Sequence, residues 1–290
     1  MIVSLLKEEI VSKLRLIRSK IPVSLLSIFD SNFSVLFLES EIAFNYFALG
    51  MREVVNRTIS ELSNKEQVRN SEWFPSYGTH GDDPKKISTK QLLANIVLKE
   101  HSKDVLFKLF PIDNSIDALC EMMKKLSNYV HLSLRLESDQ ITDELENVIV
   151  ICGSFFETLS SVQKEIEDLV EITEEGVFDD VRSRTIQELD EIATHYGSHD
   201  VEIDKIVIQE LLEESSDGMK VNVLCQGRIS SELQYGSDAD QTRDEGATMN
   251  IEFPLEAVVE LVYARDGGEL MVMEVNVVSV DVDNSSWYDE

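Results

Sequence analysis

Apolar residues recur at helical spacing along the first two-thirds of the chain, then give way to strand-like alternation. The opening stretch, "MIVSLLKEEIVSKLRLIRSK", sets Ile2, Val3, Leu5, Leu6, Ile10, Leu14, Leu16 and Ile17 among charged positions. It predicts an amphipathic helix, without the uninterrupted apolar core or cleavage site of a signal peptide. Pro22 opens a short apolar turn, "PVSLLSIF", ahead of a long helical pattern, "VLFLESEIAFNYFALGMREVVNRTISELS". Gly50 costs about 1 kcal/mol against alanine inside that pattern, so it predicts the close approach of another helix. Asn64 suits a helix C-terminus, and Arg52 beside Glu53 suits a structural ion pair.

Residues 70–87, "NSEWFPSYGTHGDDPKKI", read as a loop because Pro and Gly interrupt the pattern. Helices resume at "STKQLLANIVLKEHSKDVLFKLF", with Ser88 or Thr89 as N-cap. The next is "PIDNSIDALCEMMKKLSNYVHLSLR", capped at Asp113 or Ser115. Two more follow, "SDQITDELENVIVICGSFFETLSSVQKEIEDLVEI" and "DVRSRTIQELDEIATHY". Beyond "THYGSHD", "VEIDKIVIQELL", "GMKVNVLCQGRISSELQYG", "ATMNIEFPLEAVVELVYA" and "GELMVMEVNVVSVDV" alternate in polarity between turn-forming segments. They predict four to six antiparallel strands in a small sandwich or curled sheet. The expected class is α+β: a helical domain over residues 1–196 and a small antiparallel β domain over 200–290.

Charge sharpens that division. The chain carries a formal net charge of −29. Residues 1–136 hold 18 Lys+Arg against 16 Asp+Glu, and residues 137–290 hold 8 against 39. The acidic half repels nucleic acid at long range, so RNA contact is expected only on the near-neutral N-terminal half. The acidic half suits either solubility or a basic protein partner. Three widely spaced cysteines, Cys120, Cys152 and Cys225, form neither a disulfide framework nor a zinc motif. No run reaches the roughly 18 apolar residues of a membrane span, and a cytoplasmic location is expected.

Candidate chemistry is sparse. Asp238, Asp240, Asp244 and Glu245 share one loop. Such oxygens suit a divalent metal, although the spacing fits no EF-hand, and a solvated acidic turn is the plainer reading. "EIDK" at 202–205 is the nearest approach to a strand-borne metal-nuclease signature and reads equally as a solvated strand. His195 and His199 stand four apart, as paired helical ligands do, yet Gly197 makes the segment an interdomain connection. In "LSNYVHLSLR", His131 follows Asn128 and Tyr129 at the end of a helical pattern, with Lys124 and Lys125 upstream. It is either a proton-transfer residue or an ordinary packing histidine.

"LQYGSDADQTRDEGATMNIEFP" at 233–254 resembles the C-terminal signature of the predicted pPIWI-associating nuclease family, through Leu233, Gln234, Tyr235, Gly236, Ser237, Asp240, Glu245, Gly246, Ala247, Phe253 and Pro254. "FALGMREVVNRTISEL", a following "EWF" and "LSNYVH" look like that family's N-terminal, HEPN-like helical region. The resemblance implies a HEPN-like bundle, a homodimer and a component of a prokaryotic antiphage or conflict system. It also implies ribonuclease chemistry that requires no cofactor. HEPN-type ribonucleases set an Arg, a polar neighbour, four to six spacer residues and then a His on one helix, the His moving a proton and the Arg stabilising phosphate charge. Here Lys124 or Lys125 stands at that distance from His131, and lysine lacks the bidentate fork. Arg135 lies after the histidine, and Arg52 is the other arginine within reach of the argument. The alternative is a degenerate scaffold, a non-catalytic acidic subunit that binds a basic partner encoded in the same operon.

Overall fold

A computed structural model describes residues 8–35, 43–74, 86–131, 138–192, 196–216, 218–235 and 247–283. The chain is α+β. The described helices are α1 (Glu8–Lys20), α2 (Leu26–Val35), α3 (Ala43–Leu62), α4 (Lys65–Asn70), α5 (Thr89–Leu98), α6 (Lys103–Leu109), α7 (Ile112–His131) and α8 (Ser138–Ile192). The strands are β1 (Tyr196–Glu214), β2 (Met219–Tyr235), β3 (Ala247–Asp266) and β4 (Glu269–Val282). Two compact units result: residues 1–99 with 110–165, and residues 100–109 with 166–290.

In the helical unit most of the expected apolar positions among the described residues are buried, while Leu49 and Leu62 are exposed and Ile2, Val3, Leu5 and Leu6 lie outside the described residues. Phe29, Phe44, Phe47, Met51, Val55, Leu93, Leu119, Leu126, Phe155 and Phe156 form its core. Phe33 bridges Phe29 and Phe47, with ring centroids 5.4 and 5.5 Å apart in edge-to-face contact. Gly50 marks a close approach, as its position in the helix predicts: a Cβ there would lie 2.0 Å from Asn32 Oδ1 on α2. Ser88 caps α5 in a capping box with Gln91, satisfying two backbone donors reciprocally.

Three local expectations are corrected. Asn64 begins a helix rather than ending one: its Oδ1 accepts from the Glu66 and Gln67 amides at the start of α4. α7 starts at Ile112, so Asp113 lies in its first turn and pairs with Lys90 at 3.3 Å, while Ser115 Oγ bonds back to Pro111 O. Glu53 takes Arg57 one turn on, at 2.7 Å, in place of Arg52. Neighbours in sequence diverge by about 100° on a helix, whereas residues four apart share a face.

In the sheet unit the strands form one antiparallel meander ordered β1-β2-β3-β4. Its inner face is apolar, with Val221, Val223, Cys225 and Ile229 beside Phe253, Leu255, Ala257, Val259, Leu261 and Tyr263. The second half of α8 covers that face with Ile166, Leu169, Thr173, Val177 and Val181, all buried. Thr173 Oγ1 bonds Tyr263 OH and donates to Leu169 O, so the buried phenol has a partner. The two helical stretches expected around "TEEGVF" are one helix. Gly176 is a packing position, where a Cβ would meet Val272 of β4 at 2.8 Å. The pattern changes near residue 196, yet the compact units divide within α8, because the apolar residues after Glu165 belong to the sheet's core. The stretch from Tyr196 to His199, expected as a connection, is backbone of β1.

One 18-residue window within Asp143–Gln187 is apolar enough to cross a membrane, a stretch the sequence pattern does not single out. Over half of it is buried in the fold.

Candidate functional site

The helical unit contains an open cleft of about 480 Å³ between α3, the start of α5 and α7. Asn56 contributes from α3, Ser88 and Thr89 from the α5 cap, and Cys120, Met123, Lys124, Ser127 and Asn128 from α7. Residues 120, 124 and 127 are one turn apart, so a single stripe of α7 forms one wall. Helical register carries that stripe to position 131, the last residue of α7. The His131 side chain lies outside the described residues.

The sequence-derived candidates divide around this cleft. Lys124 and Asn128 line it together. Lys124 is exposed and ion-paired with Glu121, whose hydrogen bond raises the ammonium pKa and holds the charge. Lys125 is exposed and stands outside the lining. Tyr129 turns toward α8 and α3: its hydroxyl bonds Glu144 and Asn147, and its ring meets Phe44 edge-on at 6.1 Å. Burial and then the Glu144 carboxylate push its pKa up, so it stays a protonated donor. Asp238, Asp240, Asp244 and Glu245 lie outside the described residues, as does His195; His199 is in β1 with its side chain undescribed. Among the described residues, no group of three His, Cys, Asp or Glu is placed to hold a metal.

Other groups were not legible as site residues. Asn56, Ser88 and Thr89 come from elements with no motif, and only the tertiary fold brings them to α7. Lys90 is held by Asp117 at 2.6 Å and Asp113 at 3.3 Å. Cys120 is a poor nucleophile, because burial and then Asp117 raise its thiol pKa. Arg52 has a buried Nε without a hydrogen-bond partner, one helical turn before Asn56 on α3. His101 is structural, its Nδ1 accepting from the Ile208 amide at 3.2 Å.

The fold and cleft define an α+β protein with a polar, hydrogen-bonding cavity in a helical unit and an acidic antiparallel sheet unit. Two family models, both described as predicted pPIWI-associating nuclease, match residues 19–159 and 159–288. The chain belongs to that family. No curated protein and no solved structure matches it.

Proposed function

We propose that the protein is a metal-independent ribonuclease of a prokaryotic antiphage or conflict system, cleaving RNA at the α7 cleft. The observation that carries this reading is the joining of Lys124 and Asn128 with Asn56 and Thr89 around a cavity on the stripe that ends at His131. His131 accepts the proton of an RNA 2′-hydroxyl as that oxygen attacks the adjacent phosphorus; the P–O5′ bond breaks, giving a cyclic phosphate and a 5′-oxygen that takes a proton from water to leave as a hydroxyl. Lys124 and Arg52 offset the phosphate charge, and Asn56 and Asn128 orient the strand. Arg52 supplies the guanidinium that α7 lacks upstream of His131; Glu53 is engaged by Arg57, and the Arg52 Nε has no partner of its own. A homodimer in the cytoplasm is the working assembly.

The test is cleavage of RNA by the purified full chain, with and without EDTA, beside His131→Ala. EDTA-resistant cleavage that falls at least about 100-fold in the variant supports the reading. Equal activity in both proteins sinks it, and EDTA-sensitive cleavage transfers the chemistry to Asp238, Asp240, Asp244 and Glu245 with a divalent metal.

One observation favours a second reading. Lys124, the cation of the cleft, is already paired with Glu121, and the net negative charge lies in the C-terminal half. On this reading the helical unit is a non-catalytic scaffold and the acidic half binds a basic protein from the same operon. Retention of a co-expressed basic partner with no RNA cleavage would favour it.

A further inference from the structure

The two edges of the sheet differ. At the β1 edge the backbone of Ile208 is engaged, its carbonyl accepting from Ser102 N at 2.7 Å and its amide donating to His101. At the other edge β4 is the last strand, and among the described residues nothing bonds its outer side. An open edge is a template for another strand, and proteins usually blunt it with Lys, Pro or inward charge. β4, "ELMVMEVNVVSVDV", carries neither Lys, Arg nor Pro. Its pairing with β3 slips at two places, adding Met273 and Val278 as extra residues on the β4 side. Both are exposed, at 59% and 54%, with Met271 at 38% beside them. Edge bulges commonly guard a sheet; here they present apolar contact surface.

Charge selects the occupant. Glu256 and Asp281 stand directly opposite each other across β3 and β4, an unfavourable like-charge pair. They share a cleft of about 340 Å³ with Asp283 and Gln226, and among the described residues no Lys or Arg lines it. Glu256 accepts from Gln226 at 3.0 Å, a neutral donor that leaves the charge uncompensated. A second copy of this chain would bring the same carboxylates to the edge, so self-pairing is opposed.

We propose that the outer edge of β4 is the docking site for an extended, basic segment of a partner protein. The segment adds a strand beside Met271, Met273 and Val278 and places a Lys or Arg side chain at Glu256 and Asp281. Main-chain bonding gives affinity and the alternate side chains give selectivity. The inference does not depend on nuclease activity.

The experiment titrates the full chain into a fluorescein-labelled ten-residue peptide alternating Val and Lys and follows anisotropy. Controls are a Val/Glu peptide and a peptide of equal charge interrupted by Pro. The Val/Lys peptide is expected to bind at least about tenfold more tightly than either. Met273→Ser with Val278→Ser, and separately Glu256→Gln with Asp281→Asn, are each expected to weaken it at least about tenfold with unchanged thermal unfolding. The proposal is overturned by no binding of the Val/Lys peptide, by equal binding of the Pro-interrupted peptide, or by binding indifferent to the Met273/Val278 pair. Sedimentation showing a dimer that the Met273/Val278 substitutions dissolve would assign the edge to a second copy and overturn it as well.

Discussion

In the helical unit Lys90 sits between Asp113 and Asp117, Arg18 meets Asp30 at 3.1 Å, and Lys13 meets Glu157 at 3.3 Å. In the sheet unit Lys220, Lys205 and Arg228 each find a carboxylate, yet Glu256 faces Asp281 in a cleft with no Lys or Arg among its described lining residues. Individual exposed pairs contribute little, typically under about 1 kcal/mol, so the lesson concerns the field and not the pairs. One unit, with 17 Lys+Arg against 21 Asp+Glu, comes near to balance and holds an open cleft lined by Asn, Ser, Thr and Lys side chains. The other keeps surplus carboxylates on a well-packed apolar sheet, whose stability comes from burial. Each prediction below tests that separation.

The largest effect is expected at the core of the sheet. Tyr263 is fully buried and bonded to Thr173, and its replacement by Ala should cost about 3–5 kcal/mol. Hydrogen exchange should then accelerate in β2 and β3 while α3 keeps its protection. Equal loss in α3 would mean that the units unfold as one, which breaks the comparison.

Next comes the cleft, and this expectation rests on the ribonuclease reading. Lys124→Glu should lower RNA cleavage about 100-fold, or roughly 3 kcal/mol of transition-state stabilisation. Lys220→Glu, on the sheet's outer face, should change it less than about twofold. Equal effects would place RNA on the acidic unit, against its field.

A smaller effect is expected at Gly176→Val. The added side chain meets Val272 at under 3 Å, and overpacking of this kind costs about 1–3 kcal/mol, read by urea unfolding. No change would show that α8 and β4 separate without penalty.

These positions also mark how far the sequence could be read. The capping box at Ser88, the crowding at Gly50 and the strand alternation are local signals, and each appears where the pattern puts it. Gly176 carried the opposite message, because a glycine that breaks a helix and one that admits a strand are the same letter. Asn64 likewise suits either end of a helix, and only the Glu66 and Gln67 amides decide between them. The α7 face of the cleft was legible since its residues share one helix. Asn56 and Thr89 were not, since nothing in sequence ties them to α7. The Arg52–Glu53 pairing failed for a related reason: adjacency in sequence is not adjacency on a helix.

The smallest effect concerns the two buried thiols. Burial raises Cys152, and burial followed by the Glu174 carboxylate raises Cys225 to about 12. A raised pKa means that the fold favours the neutral thiol. Below the unfolded value near 9 the thiol is protonated in both states and its contribution is whole. As pH climbs from there toward 12, the unfolded chain loses its proton first and stability falls. For Cys225 the loss should be about 1 kcal/mol between pH 8 and pH 9.5–10, measured by urea unfolding. Cys225→Ala should lower stability at pH 8 and remove that slope. Because part of the Cys225 shift is charge from its own acidic unit, Glu174→Gln should leave the onset near pH 9 unchanged and end the fall at a lower pH, with a smaller total loss. No charged group contributes to the rise at Cys152, which should therefore ignore that substitution. An undiminished slope in Cys225→Ala would assign the alkaline loss to other groups, and would remove this thiol as a probe of how the two units differ.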